Sequence, residues 1–232
     1  MRQSLLALLP IKAHSARVPR KNFRPLAGKP LVRWILDTLL SVPEVTGVVI
    51  NTDARSILAE IGVVDSDRVM IRDRKPELCG DFVSMNLILE DDITAAAADQ
   101  YLMTHTTNPL LSADTVRSAI ESYRGAGPEI DSLFTVNRFQ TRFYREDGSA
   151  VNHDPNNLIR TQDLEPWYEE NSCLYLFTRD SFAKTHARIG KSPMMLETPP
   201  LESVDIDEPH QWYMAEALLE KREREQSQGA AA

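Results

Sequence analysis

The sequence predicts an α/β protein, a mostly parallel sheet with helices on both faces and one protruding β-arm. Three observations point there. The opening apolar run, Leu5 to Ile11, is continuous rather than alternating, as in a strand covered on both faces. Strand-like runs then alternate with segments of helical period as far as residue 137, which implies crossover units and parallel pairing. The length, 232 residues, suits one large domain.

The elements follow in order. Leu31 to Val42 places Leu31, Ile35, Leu36, Leu39 and Leu40 at helical spacing, with Pro30 at a favourable first-turn position. Val45 to Asn51 reads as a second strand and Ala54 to Ile61 as a short helix. Arg68 to Ile71 is a weaker third strand, and Val83 to Ala98 is helical, closing in an alanine run. Gln100 to Thr104 reads as a fourth strand, followed by the loop His105-Thr-Thr-Asn-Pro109. Ser112 is placed to cap a helix reaching about Arg124, and Ser132 to Asn137 is another strand. Between Phe139 and Pro166 the period fails and the chain turns polar and turn-rich, which reads as a β-arm or, alternatively, a flexible insertion. Regular structure resumes at Ser172 to Thr178, and the last helix is expected from Pro209 to about Arg224. One catalytic-size domain is therefore expected over 1–138 and 167–225, an inserted arm over 139–166, and a disordered tail over 226–232.

Bulk chemistry narrows the function. With 26 Lys and Arg against 34 Asp and Glu, the net charge of −8 argues against nucleic acid as a partner. No apolar run approaches the roughly 20 residues that span a bilayer. Pro10 and Lys12 cut the first apolar run too short for a signal peptide. Two cysteines, Cys79 and Cys173, make no disulfide framework, so a cytoplasmic location is expected.

Against that acidic background the loop after the first strand is cationic, carrying Lys12, Arg17, Arg20 and Lys21. A polyphosphate needs such converging donors, and Ser15, Arg17 and Lys21 are placed to give them; otherwise the loop is a solvated charge run. Walker A is absent, since Gly28-Lys29 precedes Pro30 rather than Ser or Thr. Near the C-terminus, Glu202-Ser-Val-Asp-Ile-Asp-Glu-Pro209 puts Asp205 and Asp207 on one face of an extended segment. Such a pair either holds a hard divalent ion or caps the helix begun at Pro209. His105 and Thr106 end the fourth strand, where ligands of parallel sheets sit, although His105 reads equally as an ordinary loop histidine.

Together these segments resemble the acylneuraminate cytidylyltransferase (CMP-sialic acid synthetase) family. That family's Pro-Ala-Arg-Gly-Gly-Ser-Lys-Arg-Ile-Pro-Arg-Lys-Asn loop and Leu-x-Gly-Lys-Pro-Leu turn are similar to Pro10–Asn22 and Leu26–Leu31. Its Arg-Pro-x-x-Leu and Gln-Pro-Thr-Ser-Pro-Leu segments are similar to Arg74–Leu78 and His105–Leu110. Arg160-Thr-Gln-Asp-Leu164, Asn171-Ser-Cys-Leu-Tyr175 and Glu202–Asp207 resemble its Arg-Gln-Asp-Leu, Asn-Gly-x-x-Tyr and Glu-Ser-Ile-Asp-Ile-Asp elements. The resemblance implies a Rossmann-like sheet and transfer of CMP from CTP to a keto sugar acid. It implies Mg²⁺ (or Mn²⁺) at Asp207 with Asp205, and a homodimer whose arm reaches the partner's sugar site. It further implies nucleotide contacts at Lys12, Ala13, Ser15, Arg17, Lys21, Asn22, Arg74 and Ser84, with Arg17, Lys21 and Asp207 acting in the chemistry. Sugar contacts are implied at His105, Thr106, Arg160, Gln162, Asn171 and Tyr175. Three departures from the pattern stand out: Lys12 replaces an Arg, Ala13-His14 replaces Gly-Gly, and His105 replaces a Gln. The alternatives within this reading are a different acceptor, such as 3-deoxy-manno-octulosonate, or a homologue that binds nucleotide without turnover.

Overall fold

The computed structural model describes residues 3–15 and 17–229. The chain runs through β1 (Leu5–Leu8), β2 (Pro25–Leu26), β3 (Lys29–Pro30), α1 (Leu31–Ser41), β4 (Gly47–Thr52), α2 (Arg55–Glu60) and β5 (Val69–Asp73). It continues through α3 (Met85–Ala95), β6 (Gln100–Met103), α4 (Ala113–Gly125), β7 (Ser132–Phe139), β8 (Trp167–Phe177), α5 (Arg179–Thr185), β9 (Pro193–Glu197) and α6 (Pro209–Gly229). The main sheet has the order β5-β4-β1-β6-β8-β7-β9. Its β5, β4, β1 and β6 are mutually parallel, while β8 runs antiparallel to both β6 and β7.

The continuous apolar reading of β1 follows from its place between β4 and β6, with a packed layer on each face. Leu5, Ala7 and Leu9 point into a core completed by α1 and α4 through Ile35, Leu39, Val116 and Ile120. Leu8 points to the opposite layer, with Leu89 and Ile93 of α3 and Phe182 of α5. Ser112 does cap α4, its Oγ accepting the Thr115 N–H at 3.1 Å. A third cluster joins Val18 of the basic loop, Trp34 of α1, Ile206 and the α6 residues Trp212, Ala215 and Leu219. Ile206 is fully buried there, which draws the acidic segment on either side of it toward the basic loop.

Several boundaries differ from the sequence reading. The first strand stops at Leu8, yet Leu9 and Ile11 still donate to the carbonyls of Val49 and Asn51, so the chain stays extended beside β4. The strand expected from Ser172 begins at Trp167, because its first half pairs with β7 as far as Phe139↔Trp167. Four of the strands and α-helices were not foreseen: the short β2–β3 pair, α5, capped by reciprocal Thr178 and Ser181 bonds, and the edge strand β9. The last helix passes Arg224 and continues to Gly229, so residues 226–229 of the expected disordered tail are helical; 230–232 lie outside the described residues. The 140–166 stretch holds one isolated bridge, Tyr144↔Ala150, and a single 3₁₀ turn over Thr161–Asp163. It forms an irregular cap at the end of the β7–β8 hairpin, with that bridge as its β pairing.

Candidate active site

A cleft of about 320 Å³ opens at the carboxyl ends of β1 and β6. Its walls come from the basic loop (Lys12, Ser15, Arg17, Lys21, Asn22), from Arg74, from the 80–85 turn, and from His105, Thr106, Thr107 and Asp207. Residues far apart in sequence meet here because strand ends of a parallel sheet all point one way.

The central contact joins the basic loop to the acidic segment. Lys21 Nζ lies 3.1 Å from Asp207 Oδ1 and donates to the Ile206 carbonyl at 2.6 Å. Arg17 reaches Asp207 Oδ2 at 2.9 Å and Glu208 Oε1 at 3.1 Å. Burial pushes the Asp207 carboxyl upward, but the Lys21 hydrogen bond and the charges of Lys21 and Arg17 outweigh it, so the group titrates below the ordinary value. Asp207 does not cap α6 with its carboxylate. Gln211 Oε1 accepts the N–H groups of Asp207 and Glu208, both at 2.7 Å, which leaves the Asp207 carboxylate to the cations.

The loop is braced from behind. Asn22 donates to the Lys12 carbonyl at 2.9 Å and accepts from Thr106 Oγ1 at 2.6 Å. Ala13 N–H donates to Asp53 at 2.7 Å, a contact that needs no glycine. Lys12 pairs with Asp81 of the opposite turn at 2.7 Å. Arg74 donates to the side chain and carbonyl of Asn51 and to the Ile11 carbonyl, at 2.8 to 3.0 Å. Behind it, fully buried Asp92 accepts from Asn51 at 2.8 Å and pairs with Arg72.

On the far wall, burial pushes His105 down to about 3, with the Arg188 and Lys21 charges acting the same way. The ring is therefore neutral. Arg188 donates to His105 Nε2 at 3.4 Å and lies 3.8 Å over the ring of Tyr175.

Over most of its length this chain matches the family described as Cytidylyltransferase, residues 6–229. The chain belongs to the cytidylyltransferase family. A "CMP-N,N'-diacetyllegionaminic acid synthase" of Legionella pneumophila is 28% identical, covering 93% of this chain and 96% of its own length. An "N-acylneuraminate cytidylyltransferase" of Oncorhynchus mykiss is 28% identical over 93% of this chain, which spans 50% of that longer protein. Among solved structures, a CMP:2-keto-3-deoxy-manno-octonic acid synthetase complexed with CTP superposes with a TM-score of 0.66 at 15% identity. That superposition covers 94% of this chain and 99% of the other. A 4-diphosphocytidyl-2C-methyl-D-erythritol synthase of Anaerococcus prevotii gives 0.69 at 12% identity, covering 94% and 96%. At such identities the likeness is one of fold, and it agrees with the Rossmann-like sheet.

Within this cytidylyltransferase the fold brings Lys12, Ser15, Arg17, Lys21, Asn22, Arg74, His105, Thr106 and Asp207 to one cleft. Ala13 packs beside it with its N–H held by Asp53, and Ser84 stands at the start of α3 next to the 80–83 turn. Five other expected residues are elsewhere. Asn171 faces a neighbouring cavity of about 430 Å³, but its amide is consumed by Thr135, Asn137 and Thr198. Tyr175 is fully buried, its hydroxyl bonded to Glu170. Arg160 is exposed on the hairpin cap and paired with Asp163, with Gln162 beside it in the same turn. Asp205 lines the neighbouring cavity and not the cleft, because residues 204–207 are irregular and strand alternation does not apply. Asp81, which lines the cleft, and Arg188, which contacts His105, were missed, since both sit in stretches with no motif.

Proposed function

We propose that the protein transfers CMP from CTP to the anomeric hydroxyl of a 2-keto sugar acid of the sialic-acid type and releases pyrophosphate. The convergence of Arg17 and Lys21 on Asp207 across one cleft carries this reading. The named activities of the full-length Legionella relative and its kin support the acceptor class.

The hydroxyl oxygen attacks the α-phosphorus, and the bond to the bridging oxygen breaks in line. Such transfers need positioning and charge neutralisation more than covalent work. Arg17 and Lys21 release Asp207 in part and take the phosphate oxygens, while Lys12 leaves Asp81 to do the same. Arg74, fixed by Asn51 and Ile11, lines the cleft where it would face the base. Thr106 is held by Asn22 and spans the phosphate and sugar sides. His105, neutral and with Nε2 engaged, acts as a hydrogen-bonding group and is too weak a base to take the hydroxyl proton.

The residues fit a hard divalent ion. Asp207 carries a charged carboxylate at the phosphate side, and Asp205 Oδ1 is buried with no partner. Burial raises Asp205 above its ordinary value, with a Thr107 hydrogen bond opposing, so a nearby cation favours its ionised form. Among the described residues no cluster of three His, Cys, Asp or Glu exists, so most ligands would come from phosphate and water, as suits Mg²⁺ or Mn²⁺. Held at Asp207, with Asp205 two residues away on the adjoining cavity, the ion would neutralise charge on the transferred group.

The hairpin cap over 139–166 is read as the contact of a homodimer, supported by exposed Tyr144, Leu158 and Ile159, with Trp167 at its base. Among the described residues no helix is long and apolar enough to cross a membrane. Two free cysteines suit a cytoplasmic enzyme.

The test is pyrophosphate release from CTP and Mg²⁺ with a panel of N-acylneuraminic, N,N'-diacetyllegionaminic, pseudaminic and 3-deoxy-manno-octulosonic acids. Turnover with at least one acid is expected. CTP binding without release on any of them would mark a non-catalytic homologue.

A further inference from the structure

A keto sugar acid brings its own carboxylate, and that group needs a cation on the acceptor side of the α-phosphorus. The cations that line the cleft are engaged elsewhere. Arg17 and Lys21 face Asp207, Lys12 faces Asp81, and Arg74 is held by Asn51 and Ile11. Arg160 lies exposed on the hairpin cap, paired with Asp163.

Behind the His105 wall stands Arg188, contributed by the stretch between α5 and β9. Its side chain is one-fifth exposed (20%), so it is neither buried in the core nor free in solvent. The Tyr175 ring at 3.8 Å fixes the plane of the guanidinium. Nη1 approaches His105 Nε2 at 3.4 Å, and Nη2 donates to Glu170 Oε1 at 3.1 Å. A guanidinium has five N–H donors and cannot accept, so donors remain for a ligand, and His105 must carry its proton on Nδ1. His105 lines the cleft and Arg188 backs it, so the pair offers a planar guanidinium and a neutral ring donor on the His105 side. Glu170 already shows that a carboxylate is accepted by this guanidinium.

We propose that Arg188 is the specificity-determining residue for the acceptor's carboxylate, with the Nδ1–H of His105 as the second donor. This inference rests on the acceptor class proposed above. It also explains why His105 serves where the family pattern has a Gln: either side chain donates, and here the ring is oriented by Arg188.

The experiment compares wild type, Arg188→Gln and Arg188→Lys on the sugar acid of the panel that turns over fastest and on its C1 carboxamide. KM and kcat are read for both, with KM for CTP alongside. Wild type should prefer the acid. In Arg188→Gln the KM for the acid should rise at least roughly tenfold, the weight of one charge-assisted hydrogen bond. The carboxamide should change little, and KM for CTP should hold within about twofold. Arg188→Lys should keep part of the preference, since it retains charge but not the fork. An Arg188→Gln enzyme with the wild-type acid-to-amide ratio overturns the assignment, as does equal loss on both acceptors together with CTP. If Arg188→Gln no longer binds CTP, Arg188→Lys decides, and an undiminished preference there overturns it. A wild type silent on the whole panel overturns the proposed function itself, whereas turnover with an unaltered ratio overturns this inference alone.

Discussion

The cleft wall that carries Lys21, Asn22 and Arg74 and the β7–β8 hairpin cap lie at opposite extremes, because only the first is bonded into the core. Lys21 bonds the carbonyl of buried Ile206, Arg74 bonds Ile11 and Asn51, and Asn22 links Lys12 to Thr106. The cap bonds chiefly to itself. Gln140 donates to Gln162 and Leu164, Arg142 donates to Ile159, and Phe143 stacks on Trp167 with centroids 5.5 Å apart. A charge that must neutralise a phosphate in one geometry is preorganised by its own chain. A surface left with exposed apolar side chains and few ties to the core is suited to completion by another surface.

This contrast can be broken from its strongest point outward. Asp207→Ala should lower kcat by at least roughly 10²-fold, as loss of a key electrostatic group does, while CTP remains weakly bound. Near-normal pyrophosphate release from that variant would remove Asp207 from the chemistry. Next is the brace behind Arg74. Burial raises Asp92 to about 6, with the Asn51 hydrogen bond and Arg72 charge opposing. Because the folded value lies above the ordinary 3.8, ionising Asp92 costs stability as pH rises from about 4 to about 6. Arg72→Met should therefore cost about 3 kcal/mol in denaturant unfolding at pH 8, and less at pH 5, where Asp92 takes up a proton. An equal loss at both values would contradict a charged, compensated Asp92.

A smaller effect separates structure from substrate on the acceptor side. Asn171→Ala removes the bonds to Thr135, Asn137, Cys173 and Thr198 and should destabilise by about 2 kcal/mol. If instead stability holds and only the acceptor KM rises, Asn171 is a sugar ligand as its motif implied. The smallest change is expected at Arg160→Ala. The exposed pair with Asp163 should leave unfolding within about 0.5 kcal/mol of wild type. An accompanying rise in acceptor KM would show the cap reaching a partner's site, and sedimentation would report the dimer.

Legibility in the sequence follows the same division. Parallel order and the cationic wall of the cleft could be read because a doubly covered strand is continuously apolar, and because one short stretch, Lys12 to Asn22, holds most of the cleft's cations. The acidic partner was readable from Asp205-x-Asp207, but its geometry was not: alternation predicts a shared face only in a strand, and this segment is irregular. Asn171 and Tyr175 stand in a motif yet are spent on internal hydrogen bonds. Arg188 has no local signal at all, since its partners His105, Glu170 and Tyr175 come from other elements. The helix past Arg224 was missed because a polar, Gln-rich end has no apolar period to mark it.

The central claim is that one nucleotide lies between the basic loop and Asp207. Calorimetric titration of CTP, with and without Mg²⁺, into wild type and Lys21→Met tests it directly. Wild type should bind CTP more tightly with Mg²⁺, and Lys21→Met should lose at least roughly tenfold in affinity, as removal of a charged hydrogen-bond donor does. Equal affinity of the two proteins for CTP, unmoved by Mg²⁺, would contradict it.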